Sequence, residues 1–267
     1  MRRFSLILCA IGVLVAGSAH ADGSALVGMR TANDAKGWQS VGKLVLGERG
    51  FCTGTLIAPQ LVLTAAHCLF DKDTGARTPD SQIYFQAGFR DGRAEAYRGV
   101  RRTAVHPDYI YTGEEEMDRV AYDLALIELD QPIMLPQLRP FDTDHPPRIG
   151  AEVSVVSYAM DRSEVPSIEK GCSVLASSGA ALVLSCDIDF GSSGAPVFAV
   201  ENGVARVVSV ISAKAEMEGK KVALAVPLEV PLQVVRDELA REAVGRKPIA
   251  GVTVLKGGDA GANFVSP

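Results

Sequence analysis

The sequence predicts an all-β protein built as two six-stranded antiparallel barrels followed by a C-terminal helix. Three observations predict it. Twelve short runs rich in Val, Ile, Leu and Tyr recur along the chain, separated by Gly, Pro and Asp, the pattern of a sandwich or barrel rather than of alternating helices. A proline-rich stretch, 131–149, divides them six and six. Helical spacing of apolar residues appears only after Pro231.

The chain of 267 residues opens on a segment outside the fold. Arg2 and Arg3 precede the apolar run Phe4–Ala16, and Ala19-His20-Ala21 ends it with small residues at the first and third positions. That is the layout of a secretory signal peptide over residues 1–21, with the mature chain starting at Asp22. The alternative is an uncleaved anchor, but the run is short for a membrane span. Export places the protein in a secreted or periplasmic, oxidising compartment.

In the first unit, 22–130, the expected strands are Val41–Leu46, Gly54–Ile57, Leu61–Thr64, Ile83–Ala87, Ala96–His106 and Leu124–Leu129. Glu114–Glu116 reads as a solvated loop tip. The linker 131–149 carries five prolines, which remove ladder donors and punctuate structure. In the second unit, 150–230, the expected strands are Val153–Tyr158, Cys172–Ala176, Ala181–Cys186, Pro196–Val200, Arg206–Ser212 and Val222–Pro227. Leu232, Val235, Leu239 and Val244 share one helical face over 231–246, a helix expected to dock on the second barrel. Residues 247–267 are Gly-rich and read as a tail.

Composition narrows the function. The formal charge is −5, and removal of Arg2 and Arg3 makes the mature chain more acidic. It therefore offers no basic face to nucleic acid, and none to a membrane once the signal is gone. Cys9 leaves with the signal, so four cysteines remain, and they allow three pairings. The local one, Cys52–Cys68 with Cys172–Cys186, joins the ends of two hairpin-like segments and is preferred. A zinc site is the rival, disfavoured by the spacing and by an oxidising compartment. No metal-ligand cluster, phosphate loop or cofactor motif occurs, so no metal and no cofactor are expected. A monomer acting on a polypeptide is expected.

The chemistry rests on His67, Asp123 and Ser193. His67 follows an apolar strand and precedes Cys68. Asp123 opens another apolar run, where a carboxylate is costly to bury unless paired. Ser193 sits in Gly191-Ser-Ser-Gly-Ala-Pro196. A serine hydroxyl is a poor nucleophile at neutral pH; it needs a base, and the base needs an acid to fix its tautomer. Small residues around Ser193 let the amides of Gly191 and Ser193 converge as an oxyanion hole. The chain order His, Asp, Ser differs from those of α/β-hydrolases and subtilisin-like folds. His106 reads as a structural residue and His145 as exposed.

Together, Thr64-Ala-Ala-His-Cys68, Asp123-Leu-Ala-Leu126 and Gly191-Ser-Ser-Gly-Ala-Pro196 resemble the motifs of the trypsin/chymotrypsin-like serine peptidases. The resemblance spans roughly residues 26–230 and is nearest to the bacterial branch that includes glutamyl endopeptidases. It implies the two-barrel fold, an active site in the cleft between barrels, and a serine endopeptidase. Cys52–Cys68 would match the bridge beside the family's catalytic histidine. Zymogen-activated members carry an aspartate immediately before the catalytic serine; here the position is Ser192, so activity without a buried N-terminal ion pair is expected. Leu26–Met29 resembles the family's mature N-terminus. By the same resemblance Asp187, with Asp189 as a second candidate, stands where a substrate-reading aspartate stands in trypsin-like members. In the glutamyl branch such an aspartate reads no basic side chain. Val207–Ser212 lacks the histidine that branch uses for glutamate. Ser209 is the residue expected to support Asp123. A peptidase fold that binds without cleaving is the rival reading.

Overall fold

A computed structural model describes residues 26–47, 50–111, 117–178 and 180–245. The proposed signal, the Glu114–Glu116 loop tip and the C-terminal tail lie outside the described residues.

The first barrel closes through β2 (Val41–Leu46), β3 (Gly50–Ala58), β4 (Leu61–Thr64), β5 (Ile83–Ala87), β6 (Ala96–Val105) and β7 (Ala125–Leu129), in the order β2-β3-β4-β7-β6-β5. All pairs are antiparallel. Leu44, Leu56, Val62, Phe85 and Ile127 share one face of the sheet through these registers, and all are buried. Closure of the sheet removes its edges, which is what lets so many short strands form one stable layer.

The second barrel is built from β8 (Glu152–Ser157), β9 (Ser167–Ser177), β10 (Leu182–Leu184), β11 (Pro196–Glu201), β12 (Val204–Met217) and β13 (Lys220–Pro227). They run β9-β10-β13-β12-β11-β8, and β8 pairs back onto β9. A further strand, β1 (Leu26–Gly28), lies along Ser167–Glu169 of β9. Its residues are exposed, so no apolar alternation announces it in the sequence. Residues 131–149 between the barrels hold one isolated bridge, Thr143 to Val207.

Two differences from expectation have clear causes. β9 starts five residues before Cys172 because Gly171, at φ 79°, is an extra residue inserted where Val153 faces Cys172 and Ser154 faces Lys170. Such a bulge keeps the ladder running through a glycine that otherwise reads as a turn. A short helix, α1 (Met117–Val120), leads into β7, and the C-terminal helix α2 covers Glu229–Gly245. Contrary to expectation, α2 packs on β6 and β7 of the first barrel. Leu228, Leu232, Val235 and Leu239 are buried in the same cluster as Leu126 and Ile127. The helix thus leaves the end of β13 and straps the second barrel to the first.

Candidate active site

His67 begins a single 3₁₀ turn, His67–Leu69, directly after β4. Asp123 precedes β7, the strand paired to β4, so Thr64 faces Ala125 and the two side chains meet. Asp123 is 3% exposed. Its Oδ1 accepts the His67 backbone N–H at 2.8 Å, and its Oδ2 lies 2.7 Å from Nδ1 of the ring. A carboxylate there makes Nδ1 the protonated nitrogen and leaves Nε2 as an acceptor. Burial works against the charge on Asp123, but the His67 charge and hydrogen bonds, with one from Ser212, hold its carboxyl below the ordinary value.

The third partner of Asp123 corrects the sequence expectation. Ser212, not Ser209, donates to Asp123 Oδ2. Ser209 is buried and donates to the Val226 carbonyl at 2.6 Å. The physical reason is a bulge: Ile211 faces Ala225 and Ala213 faces Leu224, so Ser212 is the unpaired residue between them. A bulge re-aims its side chain, and strict alternation along β12 does not reveal it.

Ser193 lies with His67, Asp123 and Ser212 on one cleft of about 470 Å³ between the barrels. Its loop is clamped from both sides. The Ser193 carbonyl accepts from Thr53 N at 2.9 Å, and Gly194 N donates to Ile211 O at 2.8 Å. Gly194 has φ 77°, and a Cβ there would clash with Thr64 Oγ1 and the Thr53 carbonyl. Gly191 has φ 95°, and a Cβ would strike Phe51. Both positions therefore demand glycine. The Phe190 carbonyl accepts from Met160 N at 2.8 Å. In a trans peptide the following N–H, that of Gly191, points to the opposite side. Among the described residues the Gly191 and Ser193 amides donate to no protein acceptor.

Ser192, adjacent to Ser193, is buried. Its hydroxyl lies 3.3 Å from Ser157 Oγ, and Arg162 Nη2 donates to Ser157 Oγ at 3.2 Å.

The structure does not bring Asp187 into the cleft. Asp187 is exposed, and its backbone N–H is turned to the buried Glu169 carboxylate, 3.0 and 3.1 Å from the two oxygens. Asp189 is engaged at the rim, where Lys214 Nζ donates to its Oδ1 at 3.1 Å. The Phe190 backbone N–H and Lys214 hold the Asp189 carboxyl below its ordinary value. Lys214 also stands 4.0 Å over the Phe190 ring.

Disulfides join Cys52 to Cys68 and Cys172 to Cys186. The first ties β3 to the His67 turn. Two groups carry metal-ligating residue types, Cys52-His67-Cys68 and Glu169-Cys172-Cys186. Their sulfurs are spent in these bonds, so neither offers the thiolates a soft metal needs.

The chain is similar to known peptidases. It is 26% identical to a glutamyl endopeptidase of Bacillus licheniformis over 56% of this chain and 45% of the relative. It is 36% identical to a modular serine protease of Drosophila melanogaster over 32% of this chain and 14% of the relative. The chain thus spans less than half the length of these curated relatives. Among solved structures, a Glu endopeptidase bound to MPD superposes with TM-score 0.65 at 20% identity, over 80% of this chain and 97% of the other. The protease Anisep of Arthrobacter nicotinovorans gives 0.61 at 16% identity, over 76% and 95%. These likenesses carry the fold. The family model described as trypsin-like peptidase domain matches residues 52–207, more than half of the sequence, and the chain belongs to that family.

Proposed function

We propose that the protein is an exported serine endopeptidase that cleaves polypeptides through Ser193, His67 and Asp123. The observation that carries this reading is the buried Asp123 paired to the half-buried His67, which lines the same cleft as Ser193. Asp123 fixes Nδ1–H, so Nε2 takes the Ser193 proton as the hydroxyl oxygen attacks the scissile carbonyl. The same nitrogen then returns that proton to the leaving amine, the peptide C–N bond breaks, and an acyl-serine ester remains. Water, activated by the same nitrogen, hydrolyses the ester and restores Ser193.

The Gly191 and Ser193 amides supply two donors for the tetrahedral oxyanion, a charge that appears only in the transition state and is thus stabilised selectively. Losing one such donor costs roughly 3 kcal/mol of barrier. Ser212 donates to the same Asp123 oxygen that faces His67 Nδ1, and Asp123 stabilises the imidazolium as it forms. The active state is assembled without a buried N-terminal ammonium, because the position before Ser193 is a hydroxyl held by Ser157. A basic primary preference has no support from Asp187 or Asp189, since one is an exposed residue that does not line the cleft and the other is paired to Lys214.

The signal layout of residues 1–21 and two disulfides support export to a secreted or periplasmic site. Cleavage of a denatured protein substrate by the wild type, with Ser193→Ala inert, tests the reading. Equal cleavage by both proteins would reject it.

A further inference from the structure

Beyond His67 the cleft continues into a part that the bond-breaking steps do not use. Its walls include Phe70, Tyr109, Tyr111, Arg119 and Val120. Phe70 stacks on Tyr111 with centroids 5.2 Å apart and rings nearly parallel, and Tyr109 lies 5.8 Å from Phe70. Tyr109 is buried and Phe70 and Tyr111 are half-buried, and a charge beside such an apolar surface interacts more strongly than one in open water.

Arg119 is that charge. It sits in the last turn of α1, four residues before Asp123, and its side chain is half-buried. Its Nε is buried and has no hydrogen-bond partner among the described residues. A guanidinium carries five donors in a fixed fork that matches a carboxylate, and an unpaired buried donor costs free energy until an acceptor arrives. The cleft is also lined by Lys72, Asp71, Asp73 and Asp123, and Lys72, its other cation, stands 5.3 Å over the Phe190 ring. Asp71 Oδ1 accepts from the amides of Asp73 and Thr74 and from the Thr74 hydroxyl. Asp123 is spent on His67 and Ser212.

We propose that Arg119 is a specificity-determining residue: its guanidinium binds an acidic side chain of the polypeptide lying in the cleft beside His67. The proposal rests on the peptidase reading for its biological sense but not for its test. An extended chain advances about 3.3 Å per residue, so the acidic residue falls within a few positions of the scissile bond. The aromatic wall packs the neck of that side chain while Arg119 takes its carboxylate. Arg119 is separate from the reacting atoms and acts on binding.

The test uses the full chain carrying Ser193→Ala, so that peptides bind without being cut. A randomised nonapeptide library displayed on phage is panned against it and against the same protein with Arg119→Gln added. The expected result is enrichment of Asp and Glu at one position, lower by about tenfold or more with Arg119→Gln, as expected for a charge-assisted pair. Arg119→Lys keeps the charge without the fork and is expected to fall between them. A glutamate peptide from the selection is expected to outbind its glutamine isostere at low salt, and the difference to shrink in high salt. Absence of acidic enrichment, or enrichment unchanged by Arg119→Gln, overturns the proposal. If the glutamine variant unfolds, an isostere pair bound equally by the Arg119 protein overturns it alone. Acidic selection in a chain whose wild type cleaves nothing would reject the peptidase reading and leave this one standing.

Discussion

The Ser192 hydroxyl lies 3.3 Å from that of Ser157, inside the protein, next to the residue proposed as nucleophile. Arg162 continues the chain to a guanidinium. Position 192, where the resemblance to zymogen-activated peptidases implies a carboxylate, is thus a hydroxyl beside a second hydroxyl and an arginine. A chain starting at Asp22 and one extended there by four Gly and Ser residues are expected to show the same kcat/KM. Ser192→Ala is expected to cost about 1 kcal/mol in thermal unfolding, the worth of a buried hydrogen bond. Loss of turnover on extension would show that a free N-terminus is required.

Ser212 and Ser209 separate two roles on one strand. Ser212→Ala removes a bond to the carboxylate that orients His67, so kcat is expected to fall about tenfold with KM little changed, matching a charge-assisted bond of about 1.5 kcal/mol. Ser209→Ala breaks a bond to the Val226 carbonyl and is expected to lower the melting temperature while leaving kcat near wild type. Steady-state kinetics and melts on the two variants read the difference. The reverse pattern would contradict the Asp123 arrangement.

This pair also shows what was legible in the sequence. The barrels were, because short apolar runs with turn residues between them have few other solutions. β2, β4 and β5 match the sequence reading residue for residue. His67, Asp123 and Ser193 stood out because three motifs occur in one order, and because a carboxylate opening an apolar strand, as Asp123 does, is costly to bury without a partner. Ser212 did not, since a bulge moves a side chain without marking the sequence. The seat of α2 escaped for a related reason: an apolar helical face says that the helix is covered, not by which barrel. Asp187 was misplaced because spacing from Ser193 fixes the distance along the chain but not the direction of a side chain in a loop.

The Cys52–Cys68 bond closes a span of 16 residues that contains β4 and ends at the His67 turn. Replacing both cysteines by alanine is expected to destabilise the fold by about 3 kcal/mol. It should also lower kcat, since the turn that presents His67 loses its tether to β3. Thermal melts and turnover before and after the double replacement check this. A variant that melts lower yet turns over normally would confine the bond to stability.

His106 is 4% exposed, and its Nδ1 accepts from the Asp108 amide at 3.3 Å, which favours the neutral ring. Burial pushes its pKa below the ordinary value, against the opposing charge of Asp108. The unfolded chain therefore binds the proton first as pH falls. The His106 contribution is constant above about pH 6.5 and is lost as pH drops below it toward the folded value. Melts between neutral and mildly acid pH are expected to show a shallower decline in His106→Gln than in wild type. Parallel declines would place the acid sensitivity elsewhere.

The central claim is that Ser193 is a nucleophile activated by His67. The most direct measurement is covalent labelling by a peptidyl organophosphonate, followed by intact-mass spectrometry and peptide mapping. One adduct per chain is expected, on Ser193, absent in Ser193→Ala and strongly slowed in His67→Ala. No adduct on the folded wild type, or an adduct that survives Ser193→Ala, would contradict it.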